Sequence, residues 1–514
     1  MAVAASAEPA PEHIDGVTLV VAIFVLSMAN FMAMLDISIA NVALPHIAGS
    51  LAVSPNEGTS VITFFAVAEA ITIPLTGWLA RRFGSVKVFL VSMTGFGIAS
   101  ALCGLALSLP MLVAFRILQG LFAGPMMPLS QALLTQITPR RHFASAMALW
   151  TATVIVAPIL GPFLGGLIAD NIGWEWAFYI NIPPAIFAVL IGWRLLAPHE
   201  TPTVKAPIDY VGFALLVTFI GALQTMLDIG AQHDWFGSVE VNVLLAVAAV
   251  GFAAFVIWEL TAEHPIVDLR VFRHRGFSIS TTVVSVVVGV FFASLVLIPL
   301  WLQTNLGYSA EWAGNLMAFN GMLGVLAAPI ASRLVTRLDA RIVSTIGLLG
   351  MSCVMLLRTQ FFSSISFGAM IPVQLLHGAF MPFFFVPLMT IALSDIERDE
   401  LAGAAGLLTF ARTIAGAIGA SIATTMWSNQ TAAMRTEVVN GMQNGGQALD
   451  QMAAQGMQAD QATANLQAMV EGQSVMLATN HLFALVVPAL LFCILLVWLT
   501  PRARSLAAGG GGAH

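Results

Sequence analysis

The sequence predicts an all-α integral membrane fold, and three observations lead there. Only 9% of the 514 residues are charged while 58% are hydrophobic, against about 25% charged in a soluble domain. Apolar runs of helical length recur from Val17 to Leu499. The basic residues gather in alternate connections between those runs. Because the runs are continuous rather than alternating, a closed β-barrel is excluded.

A membrane-spanning helix needs about 20 mostly apolar residues. Runs that qualify lie at 17–43, 57–79, 87–108, 110–132, 143–169, 177–197, 208–228, 240–262, 277–303, 311–333, 341–358, 366–393, 402–427 and 479–499, which predicts fourteen helices. One side of the membrane collects Arg81, Arg82, Lys87, Arg140, Arg141, Arg194, Lys205, Arg270, Arg273, Arg275, Arg333, Arg337, Arg341, Arg398, Arg502 and Arg504. The other collects only Arg358 and Arg435, while Arg116 and Arg412 fall inside spans. That asymmetry assigns the first side to the cytoplasm. Both termini then lie there, which requires an even number of spans.

Short basic connections follow the second run (77–87) and the tenth (332–341). The chain therefore reads as a tail (1–16), a six-helix bundle (17–197), an extra helix pair (208–262), a second six-helix bundle (277–499) and a tail (500–514). Paired halves of this kind place a transport site near the midplane between them. One stretch breaks the pattern: 429–478 is polar, rich in Gln, Ala, Asn and Met, and reads as a long outer loop with short amphipathic helices near 448–454 and 461–469. Its methionines suit docking to a partner surface.

Other chemistries are excluded. Cys103, Cys353 and Cys493 sit in apolar runs and imply no disulfide framework. No cleavable signal peptide is expected, because the N-terminus carries Glu8, Glu12 and Asp15 without a basic region. Neither a GxSxG elbow, an HExxH pair, a phosphate loop nor a CxxC pair occurs. The chain reads as no enzyme, with no metal, no cofactor beyond a proton gradient and no nucleic-acid partner.

What remains is a short set of polar residues inside apolar runs. Asp36 closes the first run, and a carboxylate in hydrocarbon costs about 3 kcal/mol on insertion scales, so it marks a functional site. Glu69 falls near the middle of the second span, Arg116 and Gln119 in the fourth, Asn320 in the tenth, His377 in the twelfth and Arg412 in the thirteenth. An apolar setting disfavours an ionised carboxyl and a neighbouring arginine favours it, so Asp36, Glu69 and Arg116 are the proton-coupling candidates. Asp36, Gln119, Asn320, His377 and Arg412 are the candidate substrate contacts. A fixed structural ion pair is the other reading of Arg116 and Arg412. Asp228 and Glu259 lie near span ends, where snorkelling reaches water. Trp174, Trp176 and Tyr179 read as an aromatic belt. In the fifth span, Pro158 and Pro162 bend the helix, and Gly161 and Gly165 make a small-xxx-small face for close packing across a domain boundary.

Several stretches are similar to one family. Gly77-Trp78-Leu79-Ala80-Arg81-Arg82-Phe83-Gly84-Ser85-Val86-Lys87 resembles the cytoplasmic loop motif of the major facilitator superfamily, in which Gly77, Arg82 and Gly84 would serve gating. Arg116-Ile117-Leu118-Gln119-Gly120 resembles its fourth-helix motif, and Gly161-Pro162-Phe163-Leu164-Gly165-Gly166 its antiporter motif. Leu35-Asp36 through Asn41-Val42-Ala43-Leu44-Pro45 resembles the first helix of the fourteen-span drug:proton antiporters. Trp174-Glu175-Trp176-Ala177-Phe178-Tyr179-Ile180-Asn181-Ile182-Pro183 and Arg412-Thr413-Ile414-Ala415-Gly416-Ala417-Ile418-Gly419 extend the likeness to the EmrB-type inner-membrane exporters. Two positions depart from the pattern: Ala80 stands where the loop usually has an acid, and Glu69 where relatives have an uncharged polar residue.

The resemblance implies a proton-coupled exporter of hydrophobic and amphiphilic compounds in a bacterial inner membrane. It also implies a periplasmic membrane-fusion adaptor of the EmrA type, an outer-membrane channel, and site roles for Asp36, Arg116 and Arg412. A Met- and Phe-lined cavity would accept varied ligands by repacking. Two rival classes stand beside this: a membrane receptor or channel subunit, which would not need paired halves, and an importer of a defined metabolite or organic anion, which would call for more basic cavity residues.

Overall fold

A computed structural model describes residues 14, 16–53, 55–58, 60–204, 207–230, 235–308, 310–397, 400–441 and 458–501. Among these it forms fourteen long helices: α1 Gly16–Ser50, α2 Ser60–Phe83, α3 Ser85–Gly104, α4 Leu109–Ile137, α5 Phe143–Asn171, α6 Ile182–Leu196, α7 Tyr210–Ile229, α8 Val239–Thr261, α9 Arg275–Thr304, α10 Ala310–Arg337, α11 Ala340–Arg358, α12 Phe367–Ser394, α13 Leu401–Gly441 and α14 Ala459–Trp498. No strand occurs among the described residues. Helices prevail because a backbone in hydrocarbon must satisfy its own hydrogen bonds. Helices α1–α6 and α9–α14 make the two bundles, and the α7–α8 pair leans on α2 and α13. There Phe219 meets Phe410 edge-on at 6.4 Å, and Ser421 Oγ donates to Leu227 O at 3.3 Å.

One element boundary and the burial of Glu259 and Trp174 differ from the sequence reading. The stretch 429–478 is helical where it is described, since α13 runs on to Gly441 and α14 begins at Ala459. Leaving hydrocarbon does not end a helix when the next residues are strong helix formers such as Ala, Gln, Met and Glu. At 1.5 Å per residue, each of these helices is about 60 Å long, roughly twice a hydrocarbon core. The protruding parts are joined by an Arg435–Glu471 ion pair at 3.6 Å, and at the ends of the two spans below them Trp427 Nε1 donates to Thr479 Oγ1 at 2.9 Å. The segment 448–454 lies outside the described residues. Glu259 is the second difference. It is buried rather than wet and accepts from Val267 N at 3.1 Å, because the chain beyond α8 folds back over it. Trp174 is likewise buried, edge-on to Phe178 at 6.2 Å, whereas Trp176 stays exposed. The side chain of Asp228 lies outside the described ones.

The bundles meet at the end that carries the basic connections. A Cβ on Gly77 would come within 2.6 Å of Gly403 Cα, and one on Gly406 within 3.0 Å of Ile73 O, so α2 and α13 touch backbone to backbone. Ala148 of α5 packs on Ala328 of α10 and Val386 of α12, and Gln131 Nε2 donates to Met389 Sδ at 3.3 Å. By contrast Gly161 and Gly165 face α1 of their own bundle, at Ser38 and at Ile39 and Val42. Their small faces pack helices within a bundle and not across the boundary. The side chains of Pro158 and Pro162 lie outside the described ones.

The α2–α3 connection is strapped from the far side of the bundle. Gly84 adopts φ +95°, a left-handed conformation that suits glycine. This turn exposes the first amides of α3, and Glu200, after α6, accepts from Val86 N and Lys87 N at 2.9 Å each. Glu200 thus puts a carboxylate at the N-terminus of α3, which favours negative charge. Arg82 lies 5.8 Å from the rings of Trp78 and Phe83.

Adding a side chain at the α2–α13 contact is expected to wedge the bundles apart. In Gly77→Val, spin labels at Phe83 and Leu338, which are exposed on opposite bundles, should report a longer distance than in the parent. Transport should fall about tenfold or more, in line with an overpacking cost of about 1–3 kcal/mol. An unchanged distance would show that the contact does not hold this end shut.

Candidate functional site

Three helices and one turn converge on the carboxylate of α1. Arg116 and Gln119 are three residues apart in α4, so they share a face, and that face meets Asp36. Arg116 Nη1 donates to Asp36 Oδ2 at 2.6 Å, Gln119 Nε2 to Oδ1 at 2.9 Å, and Asn181 Nδ2 to Oδ1 at 2.8 Å. Arg116 is anchored further through Nε to Val61 O at 3.1 Å and Nη1 to Gln119 Oε1 at 2.8 Å. Its guanidinium lies 4.0 Å from the Phe65 ring and 5.6 Å from Phe178. Asp36 is 1% exposed and Arg116 0%. Ser100 closes the set, accepting from Asn181 Nδ2 at 3.1 Å and donating to Phe178 O at 2.8 Å.

Three donors and one positive charge suit an ionised Asp36. A proton added there would replace an acceptor by a donor and remove Arg116's counter-ion. Arg116 Nη2 already lacks a partner, so the network has one arrangement for the carboxylate and needs another for the acid. Buried ion pairs of this kind add little net stability yet cost much to break.

The remaining sequence-predicted residues fall into two other places. Glu69 is buried in α2; its backbone carbonyl accepts from Thr72 Oγ1 at 3.1 Å, while its carboxyl makes no hydrogen bond or ion pair among the described residues, and the charges acting on it are Asp36, Arg116 and Arg412. It does not touch Asp36, because α1 is bound chiefly by α4 and α5 rather than by α2. Arg412 of α13 reaches into the other bundle, where it donates to Met127 Sδ of α4 and lies 5.9 Å from the Trp150 ring of α5; Phe385 of α12, in its own bundle, lies 5.5 Å away. Its Nη1 has no partner. Asn320 and His377 meet in the second bundle, with Oδ1 and Nδ1 3.2 Å apart, and the His377 ring stacks on Phe291 at 5.7 Å.

Sequence reasoning passed over two contributors. Asn181 precedes Ile182-Pro183 at the start of α6, where an asparagine reads as a helix cap; its side chain makes no cap bond and turns to Asp36 instead. Arg358 was counted with the outer connections but is fully buried, with Nη2 donating to Gln374 Oε1 at 2.6 Å. As the last residue of α11 its charge looks free from sequence, and only the packing of α12 and α14 encloses it. Among the described residues no three His, Cys, Asp or Glu side chains converge as a metal would require.

The chain was compared with known proteins. The family model described as Major Facilitator Superfamily matches residues 26–420. Multidrug export protein EmrB of Escherichia coli is 44% identical over 98% of this chain and 99% of its own length. Fatty acid resistance protein FarB of Neisseria gonorrhoeae is 41% identical over 95% of this chain and 97% of its own. The crystal structure of the human organic anion transporter MFSD10 covers 92% of this chain and 98% of its own, with a TM-score of 0.59 at 14% identity, a likeness of fold alone.

Removing one partner of the buried pair should cost more than removing both charges. Arg116→Met is expected to lower unfolding stability by about 3–5 kcal/mol. Arg116→Met combined with Asp36→Asn should recover most of that loss, giving a clear coupling energy. Thermal unfolding of the purified variants checks it; additive losses would mean that the two side chains act independently.

Proposed function

The chain belongs to the major facilitator superfamily, and from that premise we propose that it is a proton-coupled antiporter. It exports hydrophobic and amphiphilic compounds across a bacterial inner membrane by alternating access. It is a multi-pass transporter and not an enzyme. The proposal adds the proton, the direction and the partners. Both termini face the cytoplasm in this reading, so the end at which the bundles meet is the cytoplasmic one.

The observation that carries the proposal is the sealed Asp36–Arg116–Gln119–Asn181 network. Protonation of Asp36 frees Arg116, and the next acid within its field is Glu69. Glu69 also lies in the field of Arg412, so it stands between an arginine of each bundle. A proton on Asp36 therefore changes the charge balance across the contact that holds the bundles together. A substrate entering between them competes for the same balance, and proton release accompanies its binding. Moving one charge through the membrane potential supplies about 2.3 kcal/mol per 100 mV. The protruding α13–α14 hairpin is the docking stalk for a periplasmic adaptor, which passes substrate to an outer-membrane channel.

Two measurements test this. In everted vesicles Asp36→Asn should abolish the proton release that added substrate triggers, while substrate still binds; wild-type coupling in that variant would sink the proposal. Replacing Thr431–Leu477 by a short Gly/Ser linker removes the stalk but leaves the spans joined. Purified protein should then bind substrate normally, while resistance in intact cells falls to that of a strain lacking the adaptor. Full, adaptor-dependent resistance would move the docking surface elsewhere.

A further inference from the structure

The second bundle carries a buried cation with no anion. Arg358 is 0% exposed, and among the described residues no carboxylate pairs with it. Its partners are neutral: Gln374 Oε1 at 2.6 Å, Met355 Sδ at 3.9 Å and the Phe483 ring at 5.4 Å. Arg358 Nε is left without an acceptor, and so is the amide nitrogen of Gln374, itself 1% exposed. Two buried donors therefore lack an acceptor beside an uncompensated charge, a costly combination that an incoming anion would relieve.

The first bundle shows what is missing. Gln374 and His377 stand at the same offsets from the start of α12 (Phe367) as Arg116 and Gln119 from the start of α4 (Leu109). There the arginine has its carboxylate in Asp36; here the arginine comes from α11, and no acid comes from α9. Beside this cluster a cavity of about 370 Å³ opens between α9, α13 and α14, lined by Ser294, Leu297, Ala423, Leu482 and Phe483 among others, almost wholly apolar. Phe483 belongs to both features: it lines the cavity and carries the Arg358 guanidinium on its ring. Exposed Ile422 and Leu485 form the cavity's lip.

We propose that Arg358 and Gln374 bind the carboxylate head of an anionic amphiphile whose hydrocarbon chain lies in the α9–α13–α14 cavity. The guanidinium fork matches a carboxylate in two-point geometry, and the apolar chamber takes a flexible tail. The site is closed in this structure by Phe483 and Met355, and the Phe483 ring is the gate between tail chamber and head site. This deepens the reading of the chain as an exporter of amphiphiles by naming one substrate class, and it rests on that reading.

Equilibrium binding to the purified full-length protein in nanodiscs of neutral phospholipid tests it, with dodecanoate and dodecyltrimethylammonium as probes. No pH gradient is applied, so the result does not depend on whether Asp36 couples protons. Arg358→Met should bind dodecanoate about tenfold or more weakly while binding the cationic probe at least as well as the parent. Arg358→Lys should restore part of the loss, since it keeps the charge without the fork. Ala423→Phe should weaken dodecanoate but leave hexanoate unchanged, which places the tail. Unchanged dodecanoate affinity in Arg358→Met would overturn the proposal, as would equal weakening of both probes. An anionic phospholipid that co-purifies with the parent, is lost from Arg358→Met and resists displacement by dodecanoate would also overturn it, assigning the site to a resident lipid.

Discussion

The structure depends on one ion pair that water does not reach. Asp36 and Arg116 are 2.6 Å apart and sealed inside the first bundle, and their surroundings are arranged around that fact. The α4 motif places arginine and glutamine on one face, Phe65 and Phe178 wall the guanidinium, and the turn before α6 gives up a cap to supply Asn181. A carboxylate could not stay in hydrocarbon without these donors. Three donors meet the Asp36 carboxylate, so in the proposed cycle a proton arriving there would displace at least one of them. In the proposed cycle charge is then rearranged, and Glu69, in the field of Asp36, Arg116 and Arg412, is the group placed to respond.

Packing supplies the mechanical side. The bundles touch through glycine at Gly77 and Gly403, so α2 and α13 are held by close backbone approach rather than by interlocked side chains. A contact of this kind separates without dragging large side chains past one another. Within the first bundle the glycines of α5 fasten α5 to α1 at Ser38 and Ile39, so α1 with its Asp36 is packed tightly into its own bundle. Rigid halves that rock about a smooth contact are what alternating access requires. The strap from Glu200 to the amides of α3 ties the segment after α6 to the connection that borders this contact.

Much of this was legible in the residues. The apolar runs located the helices because hydrocarbon forces continuous hydrophobicity, and Asp36, Arg116 and Gln119 stood out because polar groups in such runs are costly. Hydropathy alone failed where a helix leaves the membrane: α13 and α14 continue into polar sequence because Ala, Gln, Met and Glu sustain a helix in water. It failed again at Arg358, whose place at a helix end looks like a loop charge until α12 and α14 enclose it. Asn181 and Glu200 were hidden for a related reason. Each acts on a segment far away in sequence, and no local spacing records such a partnership.

The most direct test of the account is infrared difference spectroscopy of the purified transporter, comparing the protein with and without an exported amphiphile at a pH where binding of that amphiphile releases protons. If Asp36 is where proton and substrate exclude each other, binding should convert a protonated-carboxyl band to a carboxylate band, and the change should be absent from Asp36→Asn. A carboxyl signal that substrate leaves untouched, or one that persists in Asp36→Asn, would contradict it.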